Sequence, residues 1–108
     1  MQIEKQEQAS KAIKILAKDG ERIAGYAFLY LIYNVREQPY GLLEYVFVEE
    51  DYRKQGVGTE LVKAVIQEAK DRDCYKLIGT TRYFKTHVHQ WYESLGFKDW
   101  GKEFRMDF

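Results

Sequence analysis

Cysteine, proline and any excess of one charge are what this 108-residue chain has least of. A single cysteine, Cys74, excludes an internal disulfide, and a reducing interior suits it best. Nothing in its surroundings, "DRDCYK", is arranged to make a thiolate, so Cys74 reads as structural. With one proline, Pro39, and no repeat or low-complexity stretch, the chain carries no linker signal and reads as one domain over residues 1–108. Lysine plus arginine (17) balances aspartate plus glutamate (17). A polyanion-binding protein carries a positive surplus, so nucleic acid is a poor fit as partner. The longest apolar run, in "IAGYAFLYLIY", is far short of the ~20 residues a bilayer-spanning helix needs. The polar start, "MQIEKQEQASK", is not a signal peptide. The expectation is a cytoplasmic domain with no membrane and no nucleic-acid partner.

What is present is core-forming material: 45% hydrophobic and 16% aromatic residues. Residues 12–18 have strand character, with Ile13 and Ile15 two apart, and Asp19-Gly20 is a tight-hairpin pair. Residues 22–33 form a second strand, apolar on both faces, followed by a loop over 34–41. "LLEYVFV" (42–48) lacks alternation and suggests a third strand buried on both faces. From 59 to about 72 the period becomes helical, with Leu61, Val62, Val65, Ile66 and Ala69 on one face. "YKLIGTT" (75–81) reads as a fourth strand. A helix then carries Val88, Trp91, Tyr92 and Leu95, with Gly96 as its stop. Phe104, Met106 and Phe108, two apart, suit a closing strand. The expected order is β-β-β-α-β-α-β, an α/β (mixed α+β) fold whose third and fourth strands run parallel.

Between strand and helix stands "RKQGVG" (53–58). A glycine-rich turn entering a helix is a ready anion site, because unpaired amides point outward and the dipole adds roughly half a positive charge. Arg53 and Lys54 strengthen that field. A Walker A loop is excluded, since no lysine follows Gly58, and the dinucleotide fingerprint fails because Leu61 stands where its third glycine belongs. The plain alternative is that Gly56 and Gly58 only let the chain turn.

The wider segment, "VEEDYRKQGVGTELVKAVIQEAK", resembles the acetyl-CoA-binding motif of the GNAT acetyltransferase superfamily, [QR]-x-x-G-x-[GA], with Arg53, Gly56 and Gly58 filling it. "HQWYESLGF" (89–97) is similar to a second family segment. The resemblance implies strands splayed around acetyl-CoA, with coenzyme A pyrophosphate on the amides of Gln55, Gly56, Val57, Gly58 and Thr59. Val46, Phe47 and Val48 would lie along pantetheine, the two valines through main-chain groups, with Phe47 packing into the opposite face. It implies an N-acetyltransferase that moves acetyl to a primary amine by direct attack, and so needs no nucleophilic Ser or Cys. Glu44, the only charge in "LLEYVFV", is costly in a buried strand unless paired or functional, and family members often carry an acid there. It is the candidate base, the alternative being a surface ion pair. Tyr92 matches the family's general acid, the alternative being a core tyrosine. His87 and His89, two apart, do not face one another on a helix, and no metal is expected.

The chain also departs from the family. Only about ten residues precede the first strand signal, too few for the usual opening strand and two helices, and the family's frequent asparagine ahead of the last helix is missing, with Lys85 near that place. An open acceptor groove is expected, taking a small-molecule or protein/peptide amine, with a homodimer supplying the missing wall. A non-catalytic acyl-CoA-binding or sensor module, or an interaction domain without ligand, are the other readings. Loops 34–41 and 83–85 would set acceptor choice.

Overall fold

The computed structural model describes residues 1–82 and 84–108. They form two compact units, Met1–Ile78 and Gly79–Phe108. The specificity loop expected over 83–85 lies partly outside the described residues, at Tyr83.

The first unit opens with β1 (Lys11–Asp19), in which Ile13, Ile15 and Ala17 turn inward while Lys14, Leu16 and Lys18 face solvent. It pairs antiparallel with β2 (Arg22–Ile32). The hairpin loop is Gly20-Glu21, one residue later than Asp19-Gly20, because the register pairs Asp19 with Arg22. Only the first loop residue then needs positive φ, and that residue is Gly20. β3 (Tyr40–Val48) pairs antiparallel with β2, and β4 (Leu77–Gly79) completes a mixed sheet in the order β1-β2-β3-β4. β4 is shorter than the 75–81 expected. Its approach to β3 is made just before it, by Tyr75 N–H to the Pro39 carbonyl (3.1 Å) and Gly41 N–H to the Lys76 carbonyl (2.9 Å).

α1 (Val57–Asp71) covers one face of this sheet. Its buried stripe, Leu61, Val62, Val65 and Ala69, meets the inward residues Ala27, Leu29 and Leu31 of β2 and Leu43 of β3 to make the core. Removing a Leu or Val side chain from water contributes roughly 1.5–3 kcal/mol. The helix ends in a Schellman motif: Asp73, in the left-handed region at φ 61°, donates to Lys70, and Cys74 donates to Ala69.

Burial on both faces, expected for β3, is not what the fold gives, and the two apolar faces of β2 are covered unequally. In β2, Tyr26, Phe28, Tyr30 and Ile32 are half-buried on the face away from α1. In β3, Leu43 is buried but Leu42 and Glu44 are half-buried and Tyr45 is exposed. The cause is coverage: within this unit one helix packs on one side of the sheet, so aromatic side chains on the other shelter mainly each other.

The second unit carries α2 (Thr86–Ser94). The closing strand expected at the C-terminus is absent: residues 97–108 hold no regular structure, and Phe104 and Phe108 are 90% and 113% exposed. Spacing of two makes a strand only where a neighbouring edge accepts its ladder bonds, and no pairing involves this tail among the described residues.

Candidate active site

Two local devices shape the region between β3 and α1, and a third lies within the second unit. The first is a β-bulge. Tyr26 faces Phe47 and Phe28 faces Glu44, so β2 spends one residue, Ala27, where β3 spends two, Tyr45 and Val46. Tyr45 takes up the extra length in the left-handed region at φ 53°, with its side chain 74% exposed. Bulges bend a strand and break its ladder, and here the break takes in Val46, the first of the three residues expected along pantetheine, while Phe47 and Val48 return to register opposite Tyr26 and Gly25.

The second device is the loop. After Glu49, whose N–H donates to the Ala24 carbonyl (2.8 Å), a 3-10 turn spans Glu50–Tyr52. Arg53 is extended and returns Nε to the Val48 carbonyl (3.0 Å), and Gln55 Nε2 donates to the Asp51 carbonyl (3.0 Å). Both side chains therefore pin the loop, and Val48 has lent its carbonyl to Arg53 rather than leaving it bare. Arg53 keeps its charge and remaining donors at the surface. Lys54 and Gly56 both adopt positive φ, 62° and 81°. Gly56 is the residue before the first helical one, and having no side chain it supplies no cap. The first amide to find a helical acceptor is that of Glu60, on the Gly56 carbonyl (3.0 Å). Among the described residues the N–H groups of Val57 and Gly58 donate to no protein acceptor. The outward amides of Val57 and Gly58, just after the cationic pair Arg53 and Lys54, form a cradle that fits the diphosphate of coenzyme A, the group expected from the sequence.

The loop is also braced from behind. Tyr52 Oη donates to Asp19 (2.7 Å), Arg22 pairs with Asp51 (2.5 Å), and the Arg22 guanidinium lies 5.0 Å from the Tyr52 ring centre. These contacts tie the β1–β2 hairpin to the turn that leads into the cradle. Sequence reasoning missed them, since its only signal was two charges beside a turn 29 and 33 residues away.

The third device sits in the second unit and belongs to "YESLGF". Gly96 (φ 102°) donates to the Glu93 carbonyl and Phe97 to the Tyr92 carbonyl, a Schellman cap. Its accompanying apolar contact is the Phe97 ring against Tyr92, 5.2 Å between centres, and Trp91 stacks on Tyr92 at 5.4 Å. Tyr92 is thus half-buried and held by aromatic neighbours rather than sunk in a core. The second glycine motif fixes a tyrosine as the first opens a cradle.

Glu44 is half-buried, on the sheet face away from α1, and among the described residues its carboxylate has no hydrogen-bond or ion-pair partner. His89 Nε2 lies 3.1 Å from the Arg82 carbonyl, which requires that nitrogen to carry the proton. It closes the turn ahead of α2, while His87 is exposed. Burial first, and Asp73 second, push the Cys74 thiol above its ordinary value, which suits a structural cysteine.

A strand, bulge, glycine turn and helix in this order define a mixed α/β fold with a turn suited to an anion between β3 and α1. The Acetyltransferase (GNAT) family model matches residues 2–97, and the chain belongs to that family. Among relatives, thialysine N-epsilon-acetyltransferase of Bos taurus is 29% identical over 90 residues, covering 80% of this chain and 53% of that protein. A putative acetyltransferase from Agrobacterium tumefaciens superposes with a TM-score of 0.83 at 27% identity, over 90% of this chain and 69% of that one. An aminoglycoside N-acetyltransferase in complex with CoA shares the fold, with a TM-score of 0.74 at 20% identity over 88% of this chain and 74% of that one. The chain spans about half the length of the thialysine acetyltransferases it matches.

Proposed function

We propose that this chain is an acetyl-CoA-dependent N-acetyltransferase domain acting on a primary amine by direct attack. The observation that carries the reading is the cradle: two positive-φ residues, Lys54 and Gly56, turn the chain into α1 with the amides of Val57 and Gly58 unclaimed among the described residues. Bound there, acetyl-CoA supplies an activated acyl group as a thioester. The residues of the cradle hold its phosphates, with Arg53, Lys54 and the amides of Gln55, Gly56, Val57, Gly58 and Thr59 in that role. The bulge opens β3 at Val46, whose main-chain groups would face pantetheine, with Phe47 and Val48 alongside and the Val48 carbonyl held by Arg53.

Three proton movements remain. The acceptor ammonium must lose a proton before its nitrogen can attack, and Glu44, half-buried and without a partner among the described residues, takes it, through a water where needed. As the C–N bond forms the C–S bond breaks, and the departing sulfur takes its proton from the Tyr92 hydroxyl. The acylated nitrogen then sheds its second proton to the Tyr92 phenolate, directly or through water, which restores the acid. Glu44 gives its proton to solvent, and no acyl-enzyme intervenes. The acceptor is a small-molecule or peptide amine. A homodimer that walls the open sheet face is part of the same proposal, and light scattering at micromolar concentration reads it.

Calorimetry with coenzyme A, paired with thiol release against an amine panel, tests the reading. Binding and turnover are both expected. Glu44→Gln lowers kcat at least tenfold, Tyr92→Phe lowers it comparably, and neither loosens coenzyme A, since general acid–base catalysis contributes about 10²–10⁴-fold. Binding without turnover points to an acyl-CoA sensor module, and no heat at all removes the assignment.

A further inference from the structure

The face of the sheet away from α1 carries an unusual row. Lys14 on β1 stands opposite Phe28 on β2, and Phe28 stands opposite Glu44 on β3. A cation, a ring and a carboxylate thus lie side by side across three neighbouring strands, the outer two about 10 Å apart at two strand spacings. Lys14 does not wander: its ammonium sits 4.4 Å from the Tyr26 ring centre and 5.7 Å from that of Phe28. The rings are themselves ordered, Tyr26 edge-on to Phe28 at 5.9 Å and Phe28 stacked on Tyr30 at 6.0 Å. Among the described residues neither Lys14 nor Glu44 forms an ion pair with the other or with anything else. Two opposite charges, each unneutralised, flank an apolar floor.

A floor of this kind is complementary to a molecule with an ammonium at one end, a carboxylate at the other, and methylenes between. A plain alkylamine leaves Lys14 unanswered. A diamine brings a second ammonium towards Lys14, a like charge on a half-dehydrated surface, which is unfavourable. We propose that this row selects the acceptor, and that the acceptor class is an ω-amino acid or a peptide lysine with a nearby carboxylate. Its amine is delivered to Glu44 and its acid held by Lys14 across Phe28. The proposal rests on the transferase reading for the role of Glu44, and names the substrate class for that site.

The test compares three acceptors of equal chain length: ε-aminocaproate, hexylamine and hexamethylenediamine. With the wild-type protein, kcat/KM for ε-aminocaproate should exceed both others by about tenfold, the scale of one charge-assisted contact. Lys14→Glu, a change on an exposed strand position, should reverse the order in favour of the diamine. Equal rates for the three, a wild-type preference for the diamine, or an unchanged order in Lys14→Glu overturns the proposal. Should none of the three turn over and the wider amine panel also release no thiol, the transferase reading fails on its own account. The row is then judged by titrating ε-aminocaproate against the aromatic resonances of Tyr26 and Phe28. Shifts that vanish in Lys14→Met sustain the seat, and silent rings remove it. Unchanged melting temperatures of both variants show that they are folded.

Discussion

Gly56 shows how much one residue decides. Its φ of 81° is in the left-handed region, and a Cβ built on it meets nothing within 4 Å. A substitution there is thus a conformational change without a clash. Gly56→Ala should cost about 1–2 kcal/mol from the left-handed backbone alone and raise the coenzyme A dissociation constant, roughly tenfold for each 1.4 kcal/mol that is lost from binding. Gly56→Asn, which tolerates the same region, should recover most of both losses. Calorimetry on the pair separates backbone geometry from bulk: equal damage by Ala and Asn would mean that φ is not the cause. This residue was legible in the sequence because glycine beside a helical period has few meanings. Lys54 at φ 62° and Tyr45 at φ 53° were not legible. Neither residue type advertises a left-handed backbone, and both are forced into it by what their neighbours bond to.

Elements were read well where one helix or strand buries one face against a partner close in sequence. The stripe of α1 and the alternation of β1 are of that kind. The reading failed where tertiary coverage decides: the second face of the sheet, the length of β4 and the tail. The brace behind the cradle is another long-range feature, and its energetics can be probed at the tyrosine. The hydrogen bond to Asp19, then burial, hold the Tyr52 phenol above its ordinary value. A pKa raised on folding contributes stability fully present below the unfolded value of about 10, and lost as pH climbs through the folded value. Wild-type protein should therefore lose stability more steeply in the alkaline range than Tyr52→Phe, which has no such proton to hold. Near neutrality Tyr52→Phe should weaken coenzyme A binding by roughly threefold, the scale of an exposed contact, with kcat unchanged. Urea unfolding at a series of pH values checks the first effect, and parallel alkaline slopes would show that the brace adds nothing.

Across the whole chain, stability should be divided unevenly between the two units. Every fully buried hydrophobic side chain identified, from Ala24 to Ala69, belongs to the first. α2 has nine residues, none of them fully buried, and Lys85 ahead of it provides no side-chain cap. Helices shorter than about 12 residues are marginal in water without packing, so its Schellman cap and the Trp91–Tyr92–Phe97 ring cluster carry much of its order. In native-state amide exchange the α1 amides from Val65 to Ala69 should open only with global unfolding, while those of α2 open earlier by a local route. Coenzyme A then discriminates between roles for Tyr92. If that hydroxyl serves the departing sulfur, saturating ligand should slow exchange in α2 by a larger factor than in α1, because linkage rewards most the segment that was least ordered. If α2 is bystander structure, its exchange stays unchanged while the amides of Val57 and Gly58 alone become protected. That result would leave the cradle standing and strip Tyr92 of its place in the chemistry.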